Sequence, residues 1–268
     1  MTTDALKTPL RIPGGKTRAV KTISRLIPHC TEWREPFLGG GSMSLYVARK
    51  YPDIKIWVND LYFPLYNFWV NLQTDGERLA DTLLDIKDSI GSNPEAHREL
   101  FDTCQYGMRE EDSFDAAVSF YVLNKCSYSG LTENSAFSVT ASKNNFTRLN
   151  IRKLKQYSEI IQGWRITNLD YSKVMSASGR DVYLFLDPPY DIDDYLYGTN
   201  KELHRSFDHV KFAEKVDLCQ HRFILTYNIN EFVERRYKKY KQRKYPLTYG
   251  MVHRGEANKM TELVITNY

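Results

Sequence analysis

Asp187-Pro188-Pro189-Tyr190 sets a carboxylate, two rigid rings and an aromatic directly after the apolar run Val182-Tyr183-Leu184-Phe185-Leu186. The run reads as a buried strand, because β-formers fill it and two prolines stop it. Neither proline can donate to a neighbouring strand, so the sheet ends at Asp187 and the fixed ring angles hold the following groups in one geometry. In open α/β sheets ligands collect just beyond the carboxyl ends of strands, where this tetrad falls. The chemistry that suits it is that of a planar amine. An exocyclic amine on a heteroaromatic ring is a poor nucleophile, since its lone pair is delocalised and its two N–H groups lie in the ring plane. With the Asp187 carboxylate and the Pro188 carbonyl each accepting one N–H, and Tyr190 stacked on the ring, the amine is held for attack.

Two glycine-bearing stretches lie upstream. Glu35-Pro36-Phe37-Leu38-Gly39-Gly40-Gly41-Ser42 precedes an apolar helical run from Met43 to Ala48, and three glycines leave no side chain to block a ligand crossing the strand end. Beyond that helix, Ile54-Lys55-Ile56-Trp57-Val58-Asn59-Asp60 reads as a second strand ending in an acid. An acid at this place holds ribose hydroxyls in nucleotide-binding folds, or else it caps the helix that follows. Nearer the start, Arg11-Ile12-Pro13-Gly14-Gly15-Lys16 precedes a helix expected from about Thr17 to Ile27.

In order along the chain, Gly-Gly-Lys, Pro-Phe-x-Gly-Gly-Gly, Asn-Asp and Asp-Pro-Pro-Tyr resemble the motifs of Dam-like DNA adenine methyltransferases, and together they cover nearly the whole sequence. The resemblance implies an α/β, Rossmann-like methyltransferase fold: a three-layer, doubly wound sheet with an inserted helical and β-hairpin target-recognition domain. It divides the chain into a catalytic domain, residues 1–71 and 151–268, and an insertion, residues 72–150. It implies S-adenosyl-L-methionine as cofactor and double-stranded DNA as partner, with methyl transfer to the exocyclic amine of a flipped-out adenine and no metal. By the same resemblance Asp187, Pro188, Pro189 and Tyr190 are catalytic. Ile12, Lys16, Phe37, Gly39, Gly41, Asp60, Asp170, Tyr171 and Asp187 face the cofactor, with Lys16 toward its methionine end and Tyr171 against its adenine. Ile12 departs from the family, which usually carries an aromatic there.

Asn124, Tyr128, Gly130 and Leu131 resemble the family segment Asn-x-x-x-Tyr/Phe-x-Gly-Leu, which places Tyr128 and Ser129 on the hairpin that meets the unpaired base. A polar surface loop is the competing reading of those residues. Where relatives that read a guanine carry an arginine, this chain has Glu133, which either accepts from a cytosine amine or faces solvent. Arg11 remains a candidate guanine reader. Methylation of a cytosine or RNA amine, and a catalytically silent DNA-binding relative, are the alternatives.

The rest of the chain is compatible with this. Its 268 residues are 42% hydrophobic and 26% charged, with 19 tyrosines and a formal net charge of +4, which permits a polyanionic partner without requiring one. No apolar segment approaches a membrane span and the first residues lack a signal-peptide core, so a soluble, cytoplasmic protein with no obligatory protein partner is expected. Cys30, Cys104, Cys126 and Cys219 lie far apart and read as reduced, buried thiols. Between Leu72 and Asn150 polar helical segments are expected, including a buried helix at Ala116 to Asn124, followed by loops or a small hairpin from Lys125 to Phe146. A helix from Ile151 to Ile161 and a short strand at Arg165 to Leu169 follow. After the tetrad come a loop at Asp191 to Arg205, a helix capped by Asp208, a strand at Arg222 to Asn228 and a terminal strand at Glu262 to Tyr268. Seven Lys/Arg and three Tyr between Arg235 and Tyr245 suit either a phosphate-tracking surface or an edge strand guarded by lysines.

Overall fold

The apolar run before the tetrad forms the middle of a seven-stranded sheet. The computed structural model describes residues 7–108, 113–132, 136–190, 207–248 and 259–268. Its strands are β1 (Glu32–Glu35), β2 (Lys55–Asn59), β3 (Arg165–Thr167), β4 (Val182–Leu186), β5 (Arg222–Asn228), β6 (Lys241–Thr248) and β7 (Lys259–Thr266). They lie in the order β3-β2-β1-β4-β5-β7-β6. From β3 to β5 all pairs are parallel, and β7 runs antiparallel to both of its neighbours. The strand order reverses between β1 and β4, so the crevice beyond their carboxyl ends is the topological switch point. Both the glycine loop after β1 and the tetrad after β4 open onto it.

Every residue of β4 is buried, which is why its sequence is continuously apolar. Tyr183 and Phe185 point into one core with Trp33 and Val58, while Leu184 and Leu186 point into a second with Phe223 and Leu225. The sheet is thus covered on both faces, giving three layers. On the first face lie α1 (Val20–Ile23), α2 (Ser42–Lys50), α3 (Phe63–Thr74), α4 (Gly76–Ile90), α5 (Pro94–Gly107), α6 (Phe114–Cys126) and α8 (Arg148–Ile161). Helices α9 (Tyr171–Ser176), α10 (His209–Asp217) and α11 (Glu231–Arg236) cover the second. Asp208 caps α10 by accepting from the Lys211 amide at 2.8 Å.

The expected buried helix is α6, most of whose residues are inaccessible. Residue 72, the expected start of the insertion, falls inside α3, and α3 shares its core with α4, α6 and α8: Phe68, Trp69, Leu79, Tyr121 and Ile151 belong to the cluster that also holds Trp33. Three expectations need correcting. The helix from Thr17 to Ile27 is broken into a 3-10 turn at Lys16–Arg18, the four-residue α1 and a second 3-10 turn at Ser24–Leu26. β-branched Thr17, Val20, Thr22 and Ile23 weaken it, and Pro28 forces Ile27 into an extended conformation, φ −76° and ψ 113°. Between Lys125 and Phe146 the chain forms a 3-10 turn at Tyr128–Gly130, one isolated bridge Ser127↔Phe137 and the helix α7 (Val139–Asn145), capped by Ser138. Cys104 and Cys126 are buried, but Cys30 and Cys219 are half-buried.

Within the basic stretch Arg235–Tyr245, β6 is the edge strand of the sheet. Arg235 pairs with Glu231, Arg236 and Lys239 with Asp217, and Lys244 with Glu234. The guarded-edge reading is the one this arrangement supports. Among the described residues no helix is long and apolar enough to cross a membrane. The Asp191–Arg205 loop and Glu133 lie outside the described residues.

Candidate active site

Asp187 is the first residue beyond β4, and its side-chain partners come from two distant segments. Lys16 Nζ lies 2.8 Å from Asp187 Oδ1. Thr226 Oγ1, from β5, donates to the same oxygen at 2.7 Å. Lys16 Nζ also donates to Gly14 O at 2.9 Å and sits 4.7 Å from the centroid of the Tyr190 ring. Burial pushes the Asp187 carboxyl above its ordinary range, and the Lys16 ammonium opposes that push. Lys16 is itself buried, at 3% exposure. Pro188 is buried and Pro189 half-buried, while the Tyr190 ring stacks on Tyr227 at 5.8 Å and 21°. The ammonium expected at the cofactor's methionine end therefore rests on the tetrad's acid and aromatic.

The glycine loop is shaped by backbone that side chains disfavour. Gly39 and Gly41 have φ of +50° and +66°, in the left-handed region. Asp60 braces the loop: its Oδ2 accepts from the Gly39 amide at 2.9 Å and its Oδ1 from the Tyr62 amide at 3.0 Å. The capping position of α3 is Tyr62, so Asp60 is not the helix cap that its sequence position also allowed. Burial pushes its carboxyl up to about 6. Ile12 packs over the loop, since a Cβ added at Gly39 or Gly40 would meet its side chain at 3.7 or 3.5 Å.

Asn59 ties the neighbouring strand ends together. It donates to Pro36 O at 3.1 Å and Leu169 O at 2.9 Å, and accepts from the Leu169 amide at 2.8 Å. That bridge brings Phe37 and Tyr171 to 5.4 Å between ring centroids, with Phe207 closing the cluster at 5.8 and 5.7 Å. Asp170 caps α9 by accepting from the Ser172 amide at 2.9 Å.

At the end of β1 stands a buried acid that the sequence reading passed over. Glu35 accepts from the Ser44 amide at 3.1 Å and from the Ser44 hydroxyl, which also accepts from Trp33 Nε1 at 2.8 Å. Burial, and further the charge of Asp187, push its carboxyl up to about 8. With the folded value raised from 4.5, this group's contribution to stability is complete below about pH 4.5 and is lost as pH rises through about 8. Glu35→Gln is accordingly expected to flatten the alkaline decline in melting temperature between pH 6 and 9 by a few degrees, at about 2–4 °C per kcal/mol for a chain of this size. Differential scanning calorimetry checks this; parallel wild-type and variant curves would show Glu35 to be ionised throughout.

The expected recognition residues lie together at the α6 end. Tyr128 is 56% exposed and Ser129 has φ +56° in the same turn. Arg11 Nη1 donates to Ser127 O at 2.9 Å, so its guanidinium is anchored to that turn.

A mostly parallel sheet with one reversed strand, and an acid-lined crevice at its switch point, defines a Rossmann-like methyltransferase. The model of the family described as D12 class N6 adenine-specific DNA methyltransferase matches residues 13–250, and the chain belongs to that family. It is 23% identical over 290 residues to the type II methyltransferase M.MjaIII of Methanocaldococcus jannaschii, covering 97% of this chain and 98% of the relative. It is 29% identical over 188 residues to the DNA adenine methylase of Salmonella typhi, covering 68% of this chain and 64% of the relative. A match to the DNA N-6-adenine-methyltransferase of Escherichia phage P1, at 26%, covers 66% of this chain and 23% of the relative.

Proposed function

We propose that this adenine-specific DNA methyltransferase uses S-adenosyl-L-methionine and acts on an adenine drawn out of double-stranded DNA. The observation that carries the reading is the Asp187 cluster: an oriented carboxylate beside a rigid carbonyl and a fixed ring, at the switch point. The bound cofactor supplies an electrophilic methyl on a sulfonium. The residues fit such a cation, because Asp60 and Asp187 are acids at the ends of β2 and β4, the parallel strands on either side of β1, and the positive-φ glycines open the backbone between them. Asp60, a carboxylate with acceptor capacity beyond its amide partners, holds the ribose hydroxyls. Phe37 and Tyr171 face the cofactor adenine. The Asp187 carboxylate and Pro188 carbonyl accept the two amine N–H groups and stabilise the amine as it becomes cationic, while Tyr190 stacks on the base. Extracting the base costs a few kcal/mol, which contacts in the pocket and Tyr128 at the vacated gap offset. Aligning methyl and amine supplies most of the rate, on the order of 7–11 kcal/mol. A DNA substrate places the enzyme inside the cell.

Incubation with labelled cofactor and a mixed-sequence duplex, followed by nucleoside analysis, tests the reading. Label is expected in N6-methyladenine; label in cytosine, or none, overturns it. Mapping the same sites reports what stands opposite Glu133.

Asp60→Ala is expected to weaken cofactor binding about tenfold, the size of losing one charge-assisted hydrogen bond, with DNA affinity little changed. Titration calorimetry of both ligands decides. Unchanged cofactor affinity together with a lower melting temperature would reduce Asp60 to a brace for Gly39.

A further inference from the structure

One run of backbone, residues 8–16, joins the exposed turn that carries Tyr128 to the pair Lys16–Asp187. Its grip on the turn is unusually complete. Asn124, fully buried at the end of α6, accepts from the Arg11 amide at 2.9 Å and donates to Arg11 O at 2.9 Å, so its side chain pairs with both backbone groups of one residue. The remaining N–H of that amide goes to Gly130 O at 3.2 Å, inside the turn itself. The adjacent Lys125, also buried, donates to Pro9 O. Gly130 has φ +76°, and a Cβ there would collide with Arg11 O. At the far end Gly15 closes a turn on Ile12 O at 3.1 Å, and the next residue is Lys16. That turn, with Gly14 at φ +73°, is all that lies between the clamp and the ammonium.

We propose that Asn124 is a positioning residue which holds this strap in register between the recognition turn and the Lys16–Asp187 pair, so that a correct DNA site at the turn sets the catalytic cation. The inference rests on the functional reading of the turn given above. A buried amide that makes three hydrogen bonds suits a transmitted displacement, because neither partner moves without the other. Coupling of this kind is reciprocal, so the test measures the coupling itself.

Single-turnover methylation is measured on a duplex with the mapped site and on one differing by a single base pair. In Asn124→Ala the ratio of the two rates is expected to fall at least tenfold, toward equal treatment of both. A purely structural role would lower the active fraction and leave the ratio in place, and an unchanged ratio overturns the proposal. Gly130→Ala, which presses a methyl group on Arg11 O, is expected to narrow the ratio in the same direction. Where either variant fails to fold, hydrogen exchange on the wild type decides: the matched duplex is expected to slow amides in residues 9–16 more than the mismatched one, and equal exchange overturns the proposal. Wild-type enzyme that methylates no DNA would instead fell the functional reading, whereas active wild type with equal strap exchange fells this inference alone.

Discussion

Asp187→Ala is expected to slow single-turnover transfer to adenine by a hundredfold or more, the usual loss when one oriented group at a developing charge is removed. The carboxylate is the group best placed to do this, being fixed by Lys16 at 2.8 Å and Thr226 at 2.7 Å. Its removal also strands the Lys16 ammonium in a site where it is 3% exposed, and breaking a buried pair from one side is costly. Gly14 O and the Tyr190 ring remain as partners, so the variant is expected to fold with a lower melting temperature. Asp187→Asn, which keeps the volume and one acceptor oxygen, should fall between wild type and Ala in rate while melting closer to wild type. Circular dichroism and a burst of labelled product per enzyme separate the two effects. A folded Ala variant with turnover near that of wild type would remove Asp187 from the mechanism.

The second large effect is expected from Lys16→Met, and it is one of pH. Burial raises the Asp187 carboxyl and the Lys16 ammonium holds it down, so removing the ammonium raises it further. Only the ionised carboxylate sets a full negative charge against the amine as it becomes cationic. The acid limb of the rate profile should therefore move to higher pH, with each unit of displacement costing tenfold in active enzyme below it. The variant is expected to be far more impaired at pH 6 than at pH 9. Profiles that stay parallel would mean that Lys16 only orients Asp187, leaving its ionisation alone.

Much of this site was legible because its signals are local. Two prolines after an apolar run place Asp187 at a strand end, and β5 occupies the residues its pattern marked, Arg222–Asn228. The strand-end position marked Asp60 and the resemblance supplied Phe37 and Tyr171; in the structure Asp60 braces the glycine loop and the two rings meet at 5.4 Å. What remained hidden depends on contacts between distant segments. Lys16 reaches Asp187 across most of the chain, and no periodicity announces such a partnership. Thr226 is a β-former in a strand, and its role follows only from the register Leu186↔Leu225, which sets it beside Asp187. A polar residue directly after the apolar Phe223-Ile224-Leu225 was the one available hint. Glu35 read as part of a glycine-loop motif, whereas its burial comes from Ser44 and Trp33 closing around it. Helix α7 was invisible for a different reason: its Val-Thr-Ala-Ser-Lys-Asn-Asn sequence has poor propensity, and a cap from Ser138 with burial of Ala141 and Ser142 overrides that.

The core that runs without a break from Trp33 on the sheet through Phe68 and Trp69 of α3 to Tyr121 of α6 bears on how specificity is exchanged between relatives. Were residues 72–150 an independent module, a chimaera could carry them whole into another scaffold. Here such a graft would set foreign side chains against Phe68, Trp69 and Ile151, and interiors packed to crystal density tolerate mismatched volumes poorly. New target sequences should be reached by point changes in the turn around Tyr128 and at Arg11, which leave that interior alone. A transplanted insertion should cost thermal stability before it alters the site that is read.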